Sequence, residues 1–292
     1  SLEQERGSKV SRKPVIKVIT SGFNSSMSVI ADNRVLFKSV LFNMSGIAVV
    51  VVLSSVLTSA FIDRDYGISI LLWTLPGILF LTMIYILNLS LIRGERQKEL
   101  KESLGISNLL SSVRIVASIP ILVSFLKGYS TAAFVIYAAA AVTDVLDGFI
   151  ARRYSQTTVL GIIIDPVGDV FTTETVFFCL WRAGVVPGWL FAVLSARYLE
   201  FFLGWILIAV AGKQPPLSST MAGKIVGVIQ FTGVMLLVSE TIFRPFDLYG
   251  LTRDIILYAL GMSFLAVMIS QTLIGFRAFR NGEYDTSAAE GE

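Results

Sequence analysis

Thr131-Ala132-Ala133-Phe134-Val135-Ile136-Tyr137-Ala138-Ala139-Ala140-Ala141-Val142-Thr143-Asp144-Val145-Leu146-Asp147-Gly148-Phe149-Ile150-Ala151-Arg152-Arg153 reads as a long apolar helix that meets two carboxylates and a double arginine only near its end. A bilayer core about 30 Å thick takes roughly 20 apolar residues per helical crossing, which this stretch supplies. Seven more stretches reach or approach that length, near 39–62, 69–92, 108–126, 158–181, 186–210, 219–243 and 254–276. The whole chain of 292 residues is 54% hydrophobic and 15% charged, with mean hydropathy +0.73, too apolar for a soluble domain of this size. The expected fold class is therefore all-α: a polytopic membrane helix bundle with a six-span unit preceded by a two-span hairpin.

Charge and spacing divide the chain further. Residues 1–35 form a polar, basic tail without the pattern of a cleaved signal peptide, so they are expected to be retained as a cytoplasmic segment. The hairpin covers 36–92, with Asp63-Arg64-Asp65-Tyr66-Gly67 as its turn and a structural role. Glu95 and Glu99 stand four apart with Lys98 and Lys101 interleaved, the pattern of an interfacial helix over 93–103. The six-span unit runs from 104 to 281, and 282–292 reads as a disordered tail. Basic residues cluster in alternate loops, around Arg93 to Lys98, at Arg152-Arg153, at Lys213 and at Arg277 and Arg280. The positive-inside rule then puts both termini in the cytoplasm.

Downstream of the opening stretch comes Gly161-Ile162-Ile163-Ile164-Asp165-Pro166-Val167-Gly168-Asp169, so four acids fall within twenty-six residues of otherwise apolar chain. At 100° per residue, Asp144, Asp147, Gly148 and Ala151 share an arc of about 100° on one helix, while Gly161, Asp165 and Asp169 form a row on the next. Both pairs lie toward the cytoplasmic side. Four ionised carboxylates in a low-dielectric site repel one another unless protons or cations neutralise them, and two divalent ions balance four charges. The chain has no histidine and one cysteine, Cys179, so imidazole and multiple-thiolate metal sites are excluded. All-oxygen coordination favours Mg²⁺ or Mn²⁺. Two such ions can grip a pyrophosphate, Gly148 leaves room for a ligand at the helix backbone, and Arg152 offers a fork to phosphate. The same acids also suit a secondary transporter or divalent-cation carrier, which would have no affinity for cytidine nucleotides, and an inactive scaffold would tolerate their loss.

The spacing D-x2-D-G-x2-A-R-x8-G-x3-D-x3-D resembles the motif of the CDP-alcohol phosphotransferases, integral membrane enzymes, and matches it at every defined position. The resemblance extends over 104–281 and leaves 1–92 without a counterpart. It implies that Asp144, Asp147, Asp165 and Asp169 hold two metal ions, Mg²⁺ or Mn²⁺, and that Asp169 is the candidate base for an acceptor hydroxyl. It implies that Asp144, Gly148, Ala151 and Arg152 receive the cytidine diphosphate. Ser107-Asn108-Leu109-Leu110-Ser111-Ser112-Val113-Arg114 resembles the Asn-Leu-Leu-Thr-x-x-Arg opening of the family's glycerol-phosphate branch. Ser107 and Asn108 are then nucleotide contacts, with a capped helix start and Arg114 reaching the headgroups as the other reading. Thr158 is a further phosphate contact by position. Gly223-Lys224 through Gln230 resembles the branch's Gly-Lys-x5-Gln segment, and Arg197 precedes it with Glu200 two residues displaced from the usual acid. Arg197 and Lys224 are thus candidate acceptor-phosphate ligands, against an ion pair of Arg197 with Glu200 or Glu174. The implied activity is transfer of a substituted phosphate, phosphatidyl or an archaeal-lipid equivalent, from a CDP-linked lipid donor to an alcohol or phosphorylated polyol. CMP is released, in phospholipid biosynthesis. The implied assembly is a homodimer in the cell membrane, its active site facing the cytoplasm.

Overall fold

The structure is a computed structural model that describes residues 33–93, 100–154, 158–210, 221–243 and 251–281. Eight α-helices occupy them: α1 Arg34–Phe61, α2 Arg64–Leu87, α3 Ile106–Leu126, α4 Ser130–Tyr154, α5 Val159–Arg182, α6 Gly188–Val210, α7 Met221–Phe243 and α8 Leu251–Asn281. Each apolar stretch of the sequence overlaps one of them, although the one read as 69–92 leaves α2 at Leu87 and passes through a short 3-10 turn at Leu89–Leu91; the result is an all-α polytopic bundle. Five helices, α1, α2, α3, α6 and α8, are long and apolar enough to cross a membrane. Among the described residues α4 and α7 add shorter apolar runs, Ser130–Thr143 and Gly227–Val238. Helix α5 stands apart because Asp165, Asp169 and Glu174 interrupt it. Val50, Leu53, Phe61, Leu72, Trp73 and Phe80 point outward from α1 and α2, as a lipid-facing surface requires.

Short-range chemistry sets the helix starts. Asn33 caps α1 by accepting from the Leu36 amide at 3.1 Å, and Asp63, extended at φ −159°, caps α2 by accepting from Tyr66 at 2.6 Å. The hairpin closes tightly because residue 67 is glycine. A Cβ there would lie 2.5 Å from the Ser55 carbonyl oxygen and 2.6 Å from the Ser59 nitrogen, and the Ser55 hydroxyl donates to the Gly67 carbonyl at 2.7 Å. At the other end of the bundle Gly184, at φ 71°, turns the chain out of α5. Arg253 of α8 donates to the Gly184 and Val185 carbonyls at 3.0 and 2.6 Å, fixing that turn.

The expectation of an interfacial helix over 93–103 is corrected at its described ends. Arg93 and Leu100 form an isolated antiparallel bridge, and the Lys101 amide donates to the Ile92 carbonyl at 3.0 Å. Backbone pairing brings the ends of the segment together, which a continuous helix would hold roughly 10 Å apart at 1.5 Å per residue. Residues 94–99 lie outside the described residues.

Helix α3 is the centre of the bundle: it packs against α2, α4 and α5. One apolar cluster joins the hairpin to α3 and to the start of α5, through Leu36, Tyr85, Leu104, Leu160 and Ile164 among others. A second joins Ile121 of α3 to the latter half of α5 and to α4, α6, α7 and α8, with Phe177, Leu190, Leu237 and Phe264. The first cluster backs the end of the bundle that carries the motif acids of α5.

Candidate active site between helices α3 and α5

The opening turns of α3 bury Ser107, Asn108, Ser111, Ser112 and Arg114. Polar side chains survive away from water only when their hydrogen bonds are made within the protein. The Ser112 hydroxyl returns to the Asn108 carbonyl at 2.7 Å, the Ser111 hydroxyl lies 3.0 Å from the Ser107 carbonyl, and the Asn108 amide donates to the Leu104 carbonyl at 2.7 Å. Satisfied along their own helix, Ser112 and Asn108 still offer a lone pair and a second N–H to neighbours, while the single Ser111 proton has more than one acceptor in reach.

Helix α5 meets this face with its own glycine and aspartate row. Thr158 caps α5, accepting from the Gly161 amide at 3.0 Å. It is also bonded twice to Asn108: the Asn108 amide donates to Thr158 Oγ1 at 3.0 Å, and the Thr158 hydroxyl donates to Asn108 Oδ1 at 3.2 Å. A Cβ on Gly161 would collide with Asn108 Oδ1, and one on Gly168 would sit 3.3 Å from Arg114 Nε. The two glycines therefore set how closely the helices approach. One turn above Gly161, Ser111 Oγ hydrogen-bonds Asp165 Oδ1. One turn further, Arg114 Nη2 lies 3.3 Å from Asp169 Oδ1, and Thr172 Oγ1 donates to the Arg114 carbonyl at 3.2 Å. Arg114 is 4% exposed at the side chain and Asp169 54%, so the ion pair runs from the packed interior to an open carboxylate.

The reading in which Arg114 reaches toward headgroups is thereby corrected: its guanidinium is buried and needs a counter-charge, which Asp169 supplies. Asn108 and Thr158 stand at the site, but their polar side-chain atoms are engaged with each other. Ser107 is buried on the same turn. Asp144, Asp147, Gly148, Ala151 and Arg152 fall on the last turns of α4, with their side chains outside the described residues. Lys224 falls on the first turn of α7 in the same way. Among the described residues no three His, Cys, Asp or Glu come together. What the described part does bring together is two carboxylates, Asp165 and Asp169, beside a serine hydroxyl. Such all-oxygen donors suit a hard divalent cation, and Cys179 is buried apart from them in the second cluster's region, lining an apolar cavity with Ile121, Val176 and Leu180.

Arg197 lies midway along α6, its guanidinium 5.1 Å from the centre of the Tyr198 ring and 5.8 Å from that of Phe264. The ion pair with Glu200 or Glu174 does not form among the described residues. Glu174 accepts from the Ser195 hydroxyl at 3.1 Å, and Glu200 accepts from Thr272. Arg197 Nε and Nη1 are buried without a hydrogen-bond partner among the described residues, as are Glu200 Oε2 and Gln230 Nε2. Sequence reasoning missed the phenols of the hairpin. Tyr66 bonds Ser124 at 2.6 Å and Tyr85 bonds Ser112 at 2.8 Å, both across to α3. The signal available was the run of α3 serines, each able to receive such a donor.

A polytopic helical bundle with carboxylates from one apolar helix set against a serine and arginine face on another defines a membrane protein with a polar intramembrane site. The chain belongs to the CDP-alcohol phosphatidyltransferase family, whose model matches residues 104–273, and it is an integral membrane protein. It is similar to CDP-diacylglycerol–glycerol-3-phosphate 3-phosphatidyltransferase of Bacillus subtilis, 27% identical over 114 residues, covering 39% of this chain and 57% of that one. A protein of the same description from Sodalis glossinidius is 33% identical over 121 residues, 39% of this chain and 61% of that one. The CMP-forming cardiolipin synthase of Streptomyces coelicolor is 34% identical over 85 residues, 29% of this chain and 39% of that one. The match thus spans less than two thirds of each of these relatives. No solved structure matches the chain significantly.

Proposed function

We propose that the protein transfers a phosphatidyl or equivalent lipid-phosphate group from a CDP-linked lipid to the hydroxyl of a small acceptor, releasing CMP. The observation that carries this reading is that the family match over 104–273 contains the complete acid motif, whose described half, Asp165 and Asp169, faces the polar side of α3. Asp144, Asp147, Asp165 and Asp169 would hold two divalent cations, Mg²⁺ or Mn²⁺. Bound there, such ions neutralise the donor's pyrophosphate and stabilise charge on the attacking and leaving oxygens. The chain's own contribution is positional. Gly148, Ala151 and Arg152 receive the nucleotide, Ser111 orients Asp165, and Asp169, the more open carboxylate, takes the proton of the acceptor hydroxyl. The lipid tails of the donor stay in the bilayer while its headgroup enters from the cytoplasmic side, where the basic loops lie.

The acceptor we favour is a glycerol phosphate or another polyol phosphate. Two of the relatives are described as glycerol-3-phosphate phosphatidyltransferases. Arg197 keeps buried Nε and Nη1 groups without a partner among the described residues, and a phosphate would supply the missing acceptors. Lys224 lies on the helix that also carries Gln230 and would add a second cation.

The test is thermal stability of the purified protein with Mn²⁺, with and without CDP, followed by CMP release from CDP-diacylglycerol with glycerol 3-phosphate. Metal-dependent stabilisation by CDP, about 2.7 kcal/mol at one hundred times the dissociation constant, and its loss in Asp165→Asn are the expected results. CMP release should depend on glycerol 3-phosphate and fall at least tenfold in Arg197→Gln. A folded protein that responds to Mn²⁺ but not to CDP overturns the transferase reading in favour of cation transport.

A further inference from the structure

We infer that Tyr85, contributed by the N-terminal hairpin, is a positioning residue for the site on α3 and α5. The inference rests on the transferase reading for its functional consequence, but not for its geometry. The hairpin lies outside the stretch that the family model matches, 104–273, so its bearing on the site cannot be read from the family.

Tyr85 is fully buried. Its hydroxyl lies 2.8 Å from Ser112 Oγ and donates toward the Asn108 carbonyl at 3.2 Å. Both partners belong to one turn of α3, residues 108–112. The same turn also carries the contacts to α5, on the adjoining flank of the helix: the Asn108 side chain on Thr158, and Ser111 on Asp165. A single turn is therefore held by the phenol on one flank and by α5 on the next, with Asn108 common to both, and rotating it about the helix axis would break both sets of bonds together. At 100° per residue, even a small twist of this turn displaces Ser111 from the carboxylate.

Packing alone does not ask for the hydroxyl. A phenylalanine would fill the same volume, and the Ser112 hydroxyl already has the Asn108 carbonyl as an acceptor at 2.7 Å. A phenol taken out of water needs a partner, and the one it has found is the backbone turn that presents the site. Neighbouring bonds point the same way. The Leu104 amide, just before α3, donates to Ser39 Oγ of α1 at 3.2 Å, and the Val159 amide at the start of α5 donates to the Arg93 carbonyl at 3.1 Å. The hairpin and the residue that follows it thus hold the beginnings of both helices that carry the site, with Tyr85 as the link nearest the Asp165 contact. Tyr66 provides an internal comparison: its hydroxyl bonds Ser124 at 2.6 Å, near the far end of the same helix.

The experiment uses the full chain in detergent or nanodiscs, as wild type, Tyr85→Phe and Tyr66→Phe. Each is measured for melting temperature, for CDP binding in saturating Mn²⁺ by titration calorimetry, and for amide hydrogen exchange. Tyr85→Phe is expected to bind CDP about tenfold more weakly, the scale of one lost hydrogen bond to an ordered site, and to exchange faster over 107–112. Tyr66→Phe should leave CDP affinity and exchange over 107–112 as in wild type. Equal CDP affinity in all three proteins, whatever their melting temperatures, reduces Tyr85 to a packing residue and overturns the inference. If wild type itself binds no CDP, the transferase reading falls, and exchange alone decides: faster exchange over 107–112 in Tyr85→Phe alone sustains the positioning role, and unchanged exchange overturns it.

Discussion

Ser111 has one hydroxyl proton and two oxygens within reach of it, the Ser107 carbonyl on its own helix and the Asp165 carboxylate across the interface. The carboxylate is the stronger acceptor, so a group that the sequence presents as an ordinary helical serine becomes a fixed donor to a motif acid. Arg114 repeats the pattern one turn on with Asp169. Replacing it with glutamine would leave a shorter, neutral group in a buried position beside an open carboxylate. The expected loss is about 1–3 kcal/mol, below the range for fully buried pairs because Asp169 is 54% exposed. Denaturation of Arg114→Gln in the detergent used for wild type checks this, and a change under about 0.5 kcal/mol would make the ion pair incidental to stability. The four acids stand out in the sequence as candidates because charge inside an apolar stretch is conspicuous, and the structure describes the surroundings of two of them, Asp165 and Asp169. The partners of Asp165 and Asp169 were not legible there, since a serine and an arginine near a helix start fit equally well with a cap and a surface cation.

The hairpin shows the same limit at the scale of whole elements. Its two spans follow from hydropathy, but the second begins earlier than read: Asp63 caps α2, so Arg64 to Gly67, expected as the turn, are already helical, and the helix ends at Leu87 rather than near 92. Its attachment to α3 does not follow, because tyrosine hydroxyls barely register in an apolar pattern and the α3 serines look like neutral helix positions. The ends of the segment read as an interfacial helix depart from that reading for a related reason: helical spacing among charges is a weak signal beside the backbone pairing that joins Arg93 to Leu100. Gly67 gives a direct test of the hairpin as a unit. Gly67→Val would push side-chain atoms into the Ser55 carbonyl and the Ser59 backbone, costing about 1–3 kcal/mol through separation of α1 and α2. Thermal unfolding of the variant should begin at lower temperature, with exchange rising first in 55–67. A wild-type melting curve would mean the α1–α2 contact at Gly67 relaxes without cost.

Two apolar clusters share α3, one on the hairpin side and one on the side of α6, α7 and α8. Orientation of the whole assembly can be read at the two ends of that helix, because Glu102 and Lys127 are both exposed while the native Cys179 is buried. In intact cells a membrane-impermeant maleimide should label Lys127→Cys, and should label Glu102→Cys only after permeabilisation. The reverse pattern would place the site on the outer face and remove the cytoplasmic entry route for the donor headgroup. The general architecture was legible because hydropathy alone fixes where helices run; the central place of α3 was not, since nothing in a list of spans says which of them touches the most others.

That central helix also carries a burden during synthesis. With Ser107, Asn108, Ser111, Ser112, Arg114 and Ser118 all inward, α3 is the least comfortable of the early segments to leave surrounded by lipid. It leaves the ribosome after α1 and α2, whose Tyr66, Tyr85 and Ser39 are already in place to receive its serines and the Leu104 amide just before it. In a translocon insertion assay, α3 preceded by the hairpin should therefore enter the bilayer more completely than α3 alone, and Tyr85→Phe should narrow the difference. On that result the hairpin would serve the newborn chain as a built-in insertion partner, sheltering a polar helix until α4 and α5 arrive to enclose it.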